Sequence, residues 1–261
     1  MQRFEGRRVL ITGAGSGIGQ ATTLRLLAEG GSVFGVDVSA DGLAETSARA
    51  AKDSVAGHGP DERLTTAVMD VSDEAAVQDV VPRAVSGLGG LDVLVNAAGI
   101  IRGAHTHECG LDLWNHVLAV NLTGTFLVTR QALPALLASG HGVIVNFSST
   151  SASFAHPYMA AYAASKGGIE SFTHSIALEY SRQGLRAACV APGGIATGLT
   201  RGIASHMPTD IDPALFAKLR PALGQGYGPP ESVAAVVAML ASDDGVFITG
   251  TEIRIDGGTH Q

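Results

Sequence analysis

Short strand-like runs rich in β-branched residues alternate with longer helix-like segments along this 261-residue chain. The runs lie at 8–12, 32–37, 64–70, 91–96, 142–149, 185–192 and 251–256. The intervening segments long enough for helices include 18–29, 73–86, 111–138 and 160–182. Alternation of this kind predicts an α/β fold, with a parallel sheet that carries helices on both faces.

Glycine-rich or polar residues follow the predicted strands. They are TGAGSGIG at 12–19, Asp37, Asp70, NAAG at 96–99, Ser148 with Ser149, and PGG from Pro192. In such sheets, ligands bind beyond the carboxyl ends of the strands. We therefore expect one binding site along this edge, and a lid in the Gly- and Pro-rich stretch at about 198–227.

Composition narrows the classes of protein that remain. The hydrophobic content of 46% suffices for a buried core, and the formal charge of −7 gives nucleic-acid binding no electrostatic support. Cys109 and Cys189 cannot build a disulfide framework. The start of the chain lacks a signal-peptide core, and no apolar run approaches the length of a membrane span. These features predict a soluble cytoplasmic protein.

The glycines after the first strand suit a phosphate-binding turn. Gly13, Gly17 and Gly19 stand where the chain passes from strand to helix, and a pyrophosphate binds at such a helix N-terminus. The spacing departs from G-x-G-x-x-G, because Ile18 and Gln20 are not glycines. The alternative is a glycine-rich turn without a ligand.

Two acidic residues end the next strands. Asp37 is placed to accept hydrogen bonds from the adenosine ribose, although it also suits a cap for a helix at 40–50. Asp70 suits a contact with the adenine. The DVSDE segment equally reads as a helix start with Ser72 as its cap.

Tyr162 and Lys166 lie one helical turn apart, so their side chains share a helix face. A tyrosine has an ordinary pKa of about 10, and a nearby cation lowers it toward the range of a useful base. Ser149, which ends the fifth strand, is placed to hold a substrate oxygen or to cap the next turn. Tyr158 has no lysine one turn later, so we do not assign it a catalytic role.

Taken in order, the motifs resemble those of the short-chain dehydrogenase/reductase family. They are TGAGSGIG at 12–19, NAAG at 96–99, Asn121 within VNLTGTF, Ser149, YAASK at 162–166 and PGGIAT at 192–197. The resemblance implies a single Rossmann-type domain over residues 1–261, with a seven-stranded parallel sheet. It also implies homodimers or homotetramers, a nicotinamide cofactor, and hydride transfer between an alcohol and a carbonyl.

The resemblance also assigns roles to residues. Tyr162 would exchange a proton with the substrate oxygen, Ser149 would hold that oxygen, and Lys166 would hold the nicotinamide ribose. Asn121 would anchor a water-linked proton relay to Lys166. We expect the cofactor to contact Gly13, Ser16, Gly17, Ile18, Gly19, Asp37, Asp70, Val71, Asn96, Ala97, Gly99, Tyr162, Lys166, Pro192, Gly193, Ile195 and Thr197.

The sequence favours NAD over NADP. Asp37 would face the extra phosphate of NADP, and no cation stands at Ser16, Val38 or Ser39 to offset the repulsion. The substrate is expected to contact Ser149, Phe154, His156 and Tyr162, in a pocket formed by residues 150–159 and the lid.

Two further features of the sequence concern metal binding and subunit assembly. HTHEC at 105–109 resembles metal-ligand material, but no second cluster supplies the other ligands of a metal site, so we expect no metal and a solvated loop. The predicted helix at 111–138 is apolar on more than one side, with Leu113 and Val117 on one and Trp114 and Leu118 on another. Such a helix predicts a subunit interface in addition to its contact with the sheet.

The leading hypothesis is an NAD(H)-dependent enzyme that interconverts a secondary alcohol and a ketone. A 3-oxoacyl-thioester reductase of the acyl-carrier-protein type is the alternative enzyme. The non-enzyme alternative is a catalytically silent dinucleotide sensor or scaffold, against which the complete set Asn121, Ser149, Tyr162 and Lys166 argues. The substrate and the physiological direction cannot be read from the sequence.

Overall fold

A computed structural model describes residues 2–52, 62–224 and 226–260 of the chain. Its strands are β1 (Arg8–Thr12), β2 (Ser32–Asp37), β3 (Leu64–Val68), β4 (Val93–Asn96), β5 (Val143–Phe147), β6 (Arg186–Pro192) and β7 (Glu252–Ile255). Its α-helices are α1 (Gly17–Ala28), α2 (Ala40–Lys52), α3 (Glu74–Leu88), α4 (Leu111–Leu118), α5 (Gly124–Ser139), α6 (Ala160–Glu179), α7 (Gly198–Arg201) and α8 (Pro230–Ala241).

All seven strands pair in parallel in one sheet, in the order β3-β2-β1-β4-β5-β6-β7. The predicted α/β fold of Rossmann type is therefore confirmed. The chain runs outward from β1 through β2 to β3 and then returns to the other side of β1 to form β4. This reversal opens a crevice at the carboxyl ends of β1 and β4, where such folds bind their ligands.

The sheet is buried on both faces, which explains the nearly continuous apolar runs of its strands. In β1, Val9 and Ile11 pack with residues of α1, α2 and α8, while Leu10 between them packs with residues of α3, α5 and α6. Alternate strand residues thus supply two cores. No helix among the described residues is both long and apolar enough to cross a membrane.

The predicted helix at 111–138 is not continuous. A π-helical turn at Ala119–Thr123 separates α4 from α5, and this turn carries Asn121. The Asn121 side chain is bonded to the loop after β4 and to α6, which fixes the turn in place. The predicted helix at 160–182 also ends early, because α6 stops at Glu179 and a 3-10 turn follows.

Candidate active site

A cavity of about 1510 Å³ opens at the carboxyl ends of the strands. Pockets for one drug-sized ligand usually measure about 300–1,000 Å³, so this one has room for a large cofactor together with a substrate. Most of the predicted site residues line it: Gly13, Ser16, Gly17, Ile18, Gly19, Asp37, Asp70, Val71, Ala97, Gly99, Ser149, His156, Tyr162, Lys166, Pro192, Gly193, Ile195 and Thr197. Asn96, Asn121 and Phe154 are not among the residues of its wall.

The TGAGSGIG segment at 12–19, called the glycine loop below, is packed against itself. A Cβ added to Gly19 would lie 2.0 Å from the backbone oxygen of Gly13, so no larger residue fits there. Gly13 has a φ of +72°, a conformation that other residues rarely adopt. Ser16 precedes α1 without capping it through its side chain. The first turn of α1 therefore presents its N–H groups to the cavity, as phosphate-binding helices do.

Asp37 is tied to the glycine loop. Its Oδ2 accepts a hydrogen bond from the Gly15 N–H at 2.9 Å, and its Oδ1 accepts one from the Ser39 N–H at 2.9 Å. The first turn of α2 is instead capped by Ser39, whose Oγ accepts from the Gly42 N–H. The capping alternative for Asp37 is therefore not observed, and its carboxylate lies in the cavity wall.

Asp70 lines the same end of the cavity and bonds locally. Its Oδ1 accepts hydrogen bonds from the Ser72 N–H at 2.8 Å and from the Ser72 hydroxyl at 2.7 Å. The alternative in which Ser72 caps α3 is not observed, because α3 begins at Glu74 and the residue before it is Asp73. Asp73 is the cap, and it accepts from the N–H groups of Ala75 and Ala76.

Asn96, which was expected at the cofactor, does not line the cavity. It is the last residue of β4, and its side chain points to the α5 side of the sheet. There its Nδ2 donates to Thr129 Oγ1 at 3.0 Å and to Asn146 Oδ1 at 2.8 Å. Because successive strand residues face opposite sides, the cavity wall begins only with Ala97.

Ser149, Tyr162 and Lys166 meet at the centre of the cavity. The hydroxyl of Tyr162 is hydrogen-bonded to Ser149. Lys166 is almost completely buried, its Nζ donates to the Phe147 carbonyl at 2.7 Å, and the same atom lies 5.7 Å from the Tyr162 ring centroid. Ser149 also accepts from the Ser151 N–H at 3.2 Å, so it caps the following turn as well as facing Tyr162.

Burial dominates the protonation of this pair. Removal from water raises the pKa of Tyr162 to about 12, although the hydrogen bond with Ser149 opposes the rise. Burial also lowers the pKa of Lys166 to about 8. The expected lowering of the Tyr162 pKa by Lys166 is not observed, because desolvation disfavours the charged forms of both groups.

Asn121 lies behind the cavity wall and holds it. Its Oδ1 accepts from the Ile100 N–H at 2.8 Å, and its Nδ2 donates to the Ile100 carbonyl and to Ser165 Oγ, each at 3.0 Å. A Cβ on Gly99 would lie 3.2 Å from Asn121 Oδ1 and 3.5 Å from Lys166 Nζ. Asn121 therefore positions the loop after β4 against α6, the helix that carries Tyr162 and Lys166. Its role in a proton relay stays a prediction.

Phe154, which was expected in the substrate pocket, does not line the cavity. Its ring instead stacks on His260 near the C-terminus, with centroids 4.2 Å apart and planes at 3°. The guanidinium of Arg254, a residue of β7, lies 5.1 Å from the centroid of the Phe154 ring. No local sequence signal predicts this contact, because the stacking partner comes from the other end of the chain. Thr259, beside His260, lines the cavity and was also missed.

The lid (residues 198–227) closes one side of the cavity. A β-bridge between Ile195 and Gly228 connects the two ends of the lid. In this bridge, the Ala196 N–H donates to the Gly228 carbonyl at 2.8 Å. Lid residues that line the cavity include Leu199, Ile203, Met207, Phe216 and Tyr227.

Tyr158 and His105 hold this lid. The His105 Nε2 lies 2.9 Å from Asp210 Oδ1, and the Tyr158 hydroxyl accepts from the Asp212 N–H at 2.9 Å. Tyr158 also stacks on Phe216 and meets the His105 ring edge-on. We call these contacts the lid clasp. Within the HTHEC segment, His105 thus contacts the lid, whereas Thr106, His107 and Glu108 are exposed. Among residues 2–52, 62–224 and 226–260, no group of three or more His, Cys, Asp or Glu side chains suits a metal.

Comparison with known proteins agrees with this geometry. A family model described as enoyl-(acyl carrier protein) reductase matches residues 13–260. The 3-oxoacyl-(acyl-carrier-protein) reductase of Thermotoga maritima is 37% identical over 256 residues, covering 98% of each chain. Levodione reductase of Leifsonia aquatica is 37% identical over 260 residues, covering 98% of this chain and 95% of that protein.

Among solved structures, a crystal structure of levodione reductase superposes with a TM-score of 0.86 at 34% identity, covering 98% of each chain. The fold, the ordered motifs and these matches agree with one another over almost the full length of the chain. This protein therefore belongs to the short-chain dehydrogenase/reductase family.

Proposed function

We propose that this oxidoreductase uses NAD(H) to interconvert a secondary alcohol and a ketone, with Tyr162 as the general acid and base. The observation that carries the proposal is the meeting of Ser149, Tyr162 and Lys166 in a cavity that also contains the glycine loop and Asp37. Relatives named as reductases of ketone groups support the reaction class.

The described residues fit a dinucleotide. The close approach between Gly13 and Gly19 keeps side chains out of the loop, and the first turn of α1 is not capped by a side chain. Ile195 and Thr197 line the same cavity, with Thr197 beside Gly17 of the glycine loop, and they would hold the nicotinamide amide. When bound, the cofactor supplies the site that gives or accepts the hydride.

Ser149 and Tyr162 act on the substrate oxygen. During ketone reduction, Ser149 donates a hydrogen bond to the carbonyl oxygen while Tyr162 delivers its proton to that oxygen. During alcohol oxidation, the same proton returns to Tyr162. A pKa of about 12 keeps Tyr162 protonated near neutral pH, which suits reduction. In oxidation, the charge of Lys166, which stays largely protonated at pH 7, favours the phenolate.

The preference for NAD follows from the position of Asp37. Its carboxylate is held by the N–H groups of Gly15 and Ser39, at the end of the strand where an adenosine ribose would lie. The phosphate of NADP would bring a second negative charge beside it. Ser16, Val38 and Ser39 provide no cation to compensate.

A 3-oxoacyl-thioester reductase is the second candidate, since the relative from Thermotoga maritima is named for that activity. A panel of secondary alcohols with NAD or NADP, and of ketones and a 3-oxoacyl thioester with the reduced cofactors, separates the candidates. Turnover of simple alcohols and ketones supports the first proposal, whereas turnover confined to the thioester supports the second. Dinucleotide binding without any turnover would indicate a sensor or scaffold.

We also propose a cytoplasmic homodimer or homotetramer. Cys109 and Cys189 are free thiols, as a reducing compartment requires. Leu111, Phe126 and Leu178 leave apolar surface exposed on α4, α5 and α6. Sedimentation at micromolar concentration should give the mass of two or four chains, and a monomer would contradict this assembly.

A further inference from the structure

His156 lies in the chain between Ser149 and Tyr162 and lines the cavity. Apolar residues dominate the wall around it. Met159, Met207, Ile203 and Phe216 line the same cavity. A histidine in such a wall is a polar group that the reaction itself does not use. What this histidine can bind depends on which ring nitrogen carries the hydrogen and on whether the ring is charged.

The contacts of the ring assign its hydrogen. The Nδ1 atom of His156 lies 3.1 Å from the Phe154 carbonyl oxygen, which only accepts hydrogen bonds. Nδ1 therefore carries the hydrogen. Phe154 is itself held by stacking on His260, so the ring of His156 has a fixed support outside the cavity.

The other nitrogen lies beside a second residue that lines the cavity. His156 Nε2 lies 3.4 Å from Oγ1 of Thr150, which also lines the cavity. Hydrogen bonds from a hydroxyl are usually about 2.5–3.0 Å long, so this contact satisfies Nε2 weakly. Burial and the neighbouring His260 keep the pKa of His156 below its usual value. The ring is thus neutral near pH 7, and Nε2 offers a lone pair.

We propose that His156 and Thr150 form a second polar subsite, in which Nε2 accepts a hydrogen bond from a hydroxyl beside the reacting carbon. The preferred substrates are then diols and hydroxyketones. A neutral acceptor has no charge to attract a carboxylate, so the group it recognises is a donor. Thr150 directly follows Ser149, so the subsite adjoins the residue that holds the reacting oxygen. The inference rests on the proposed alcohol and ketone activity.

The test compares substrates that differ by one hydroxyl. With NAD, kcat/KM is measured for cyclohexane-1,2-diol and for cyclohexanol; with NADH, for 2-hydroxycyclohexanone and cyclohexanone. One hydrogen bond to a neutral group corresponds to a preference of up to about tenfold for the hydroxylated member of each pair. His156→Phe should reduce this ratio to about one, because it keeps a ring and removes the acceptor.

Further variants separate recognition from damage to the fold. His156→Gln restores an acceptor and should recover part of the ratio, and Thr150→Val should lower it. His116→Phe is the matched control, because His116 lines the cavity from α4, and it should leave the ratio unchanged.

The outcomes distinguish the two proposals. A wild type that oxidises cyclohexanol and the diol equally well overturns the subsite and leaves the proposed function standing. A ratio that survives His156→Phe also overturns the subsite. If no alcohol or ketone is turned over with either cofactor, the proposed function fails and the subsite fails with it.

Discussion

At the glycine-loop end of the cavity, the wall consists of backbone and of side chains that directly follow strands. At the lid end, the wall consists of segments joined by contacts between distant parts of the chain. Asp37 reaches Gly15 from the next strand of the same βαβ unit, whereas Tyr158 contacts Asp212, which lies 54 residues away in the chain. The first end is fixed by the sheet, and the second depends on a few side-chain contacts. Substitutions should therefore affect binding of the cofactor and of the substrate separately.

The largest effect is expected at Tyr162, where the two ends meet. Tyr162→Phe keeps the ring and removes the transferred proton. General acid–base catalysis typically contributes about 10²–10⁴ in rate, or about 3–5 kcal/mol of barrier. We expect kcat to fall at least about a hundredfold, with the Kd for the dinucleotide nearly unchanged.

Tyr158→Phe is the matched control for this substitution, because it also removes a single hydroxyl. That hydroxyl accepts a bond from the lid and takes no part in proton transfer. Its loss should act mainly on KM. Equal losses of kcat in the two variants would contradict the assignment of Tyr162.

The next effect concerns the cofactor end alone. We expect wild type to prefer NAD to NADP by at least about a hundredfold in kcat/KM, about 2.7 kcal/mol. Asp37→Ala should narrow that gap chiefly by weakening NAD, since it supplies no positive charge. Adding Ser16→Arg should then improve the use of NADP through a charge-assisted contact.

Asp37→Asn separates charge from loop support, because its amide oxygen can still accept from the Gly15 N–H. If repulsion between the Asp37 carboxylate and the NADP phosphate causes the preference for NAD, Asp37→Asn should reduce the ratio of kcat/KM values for NAD and NADP nearly as much as Asp37→Ala. Steady-state kinetics with both cofactors measures each gap. A wild type that uses NADP as well as NAD would show that Asp37 does not lie at the ribose.

The smallest effect is expected at the lid clasp. His105→Ala removes the contact with Asp210 and should raise KM for the substrate by about three- to tenfold, while kcat and the Kd for NAD stay unchanged. His107→Ala is the matched control, because the Nε2 atom of His107 lies 3.6 Å from its exposed neighbour Glu108 and not beside Asp210. Equal changes in KM for both variants would remove the clasp as the cause.

The clasp should also depend on pH. The hydrogen bond with Asp210 raises the pKa of His105 above its ordinary value of 6.5. A raised histidine pKa means that the charged pair is complete below 6.5 and is lost as the pH rises through the higher pKa of the folded protein. Substrate KM should therefore increase across that window in wild type. His105→Ala should abolish this increase and leave the pH dependence set by Tyr162 in place.

The sequence alone predicted the sheet, and most of the site residues that it predicted line the cavity. Strand–helix alternation determined the parallel topology, and parallel strands bring their carboxyl ends to one edge whatever their order. Gly13 and Ala97 directly follow strands and Asp37 ends one, so their position in the chain determined their place in the cavity. Tyr162 and Lys166 share a helix face because helical spacing depends on local geometry alone.

Only the tertiary structure decided which side of a strand or turn faces the cavity, and what covers it. Asn96 turned toward α5 because the strand ends one residue before the wall, a register that the motif does not reveal. Phe154 lies outside the cavity wall because its ring stacks on His260, which is far along the chain. Tyr158 was given no catalytic role because no lysine follows it one turn later, and the structure shows that its hydroxyl contacts the lid. Such pairings join residues far apart in sequence, and local patterns carry no information about them.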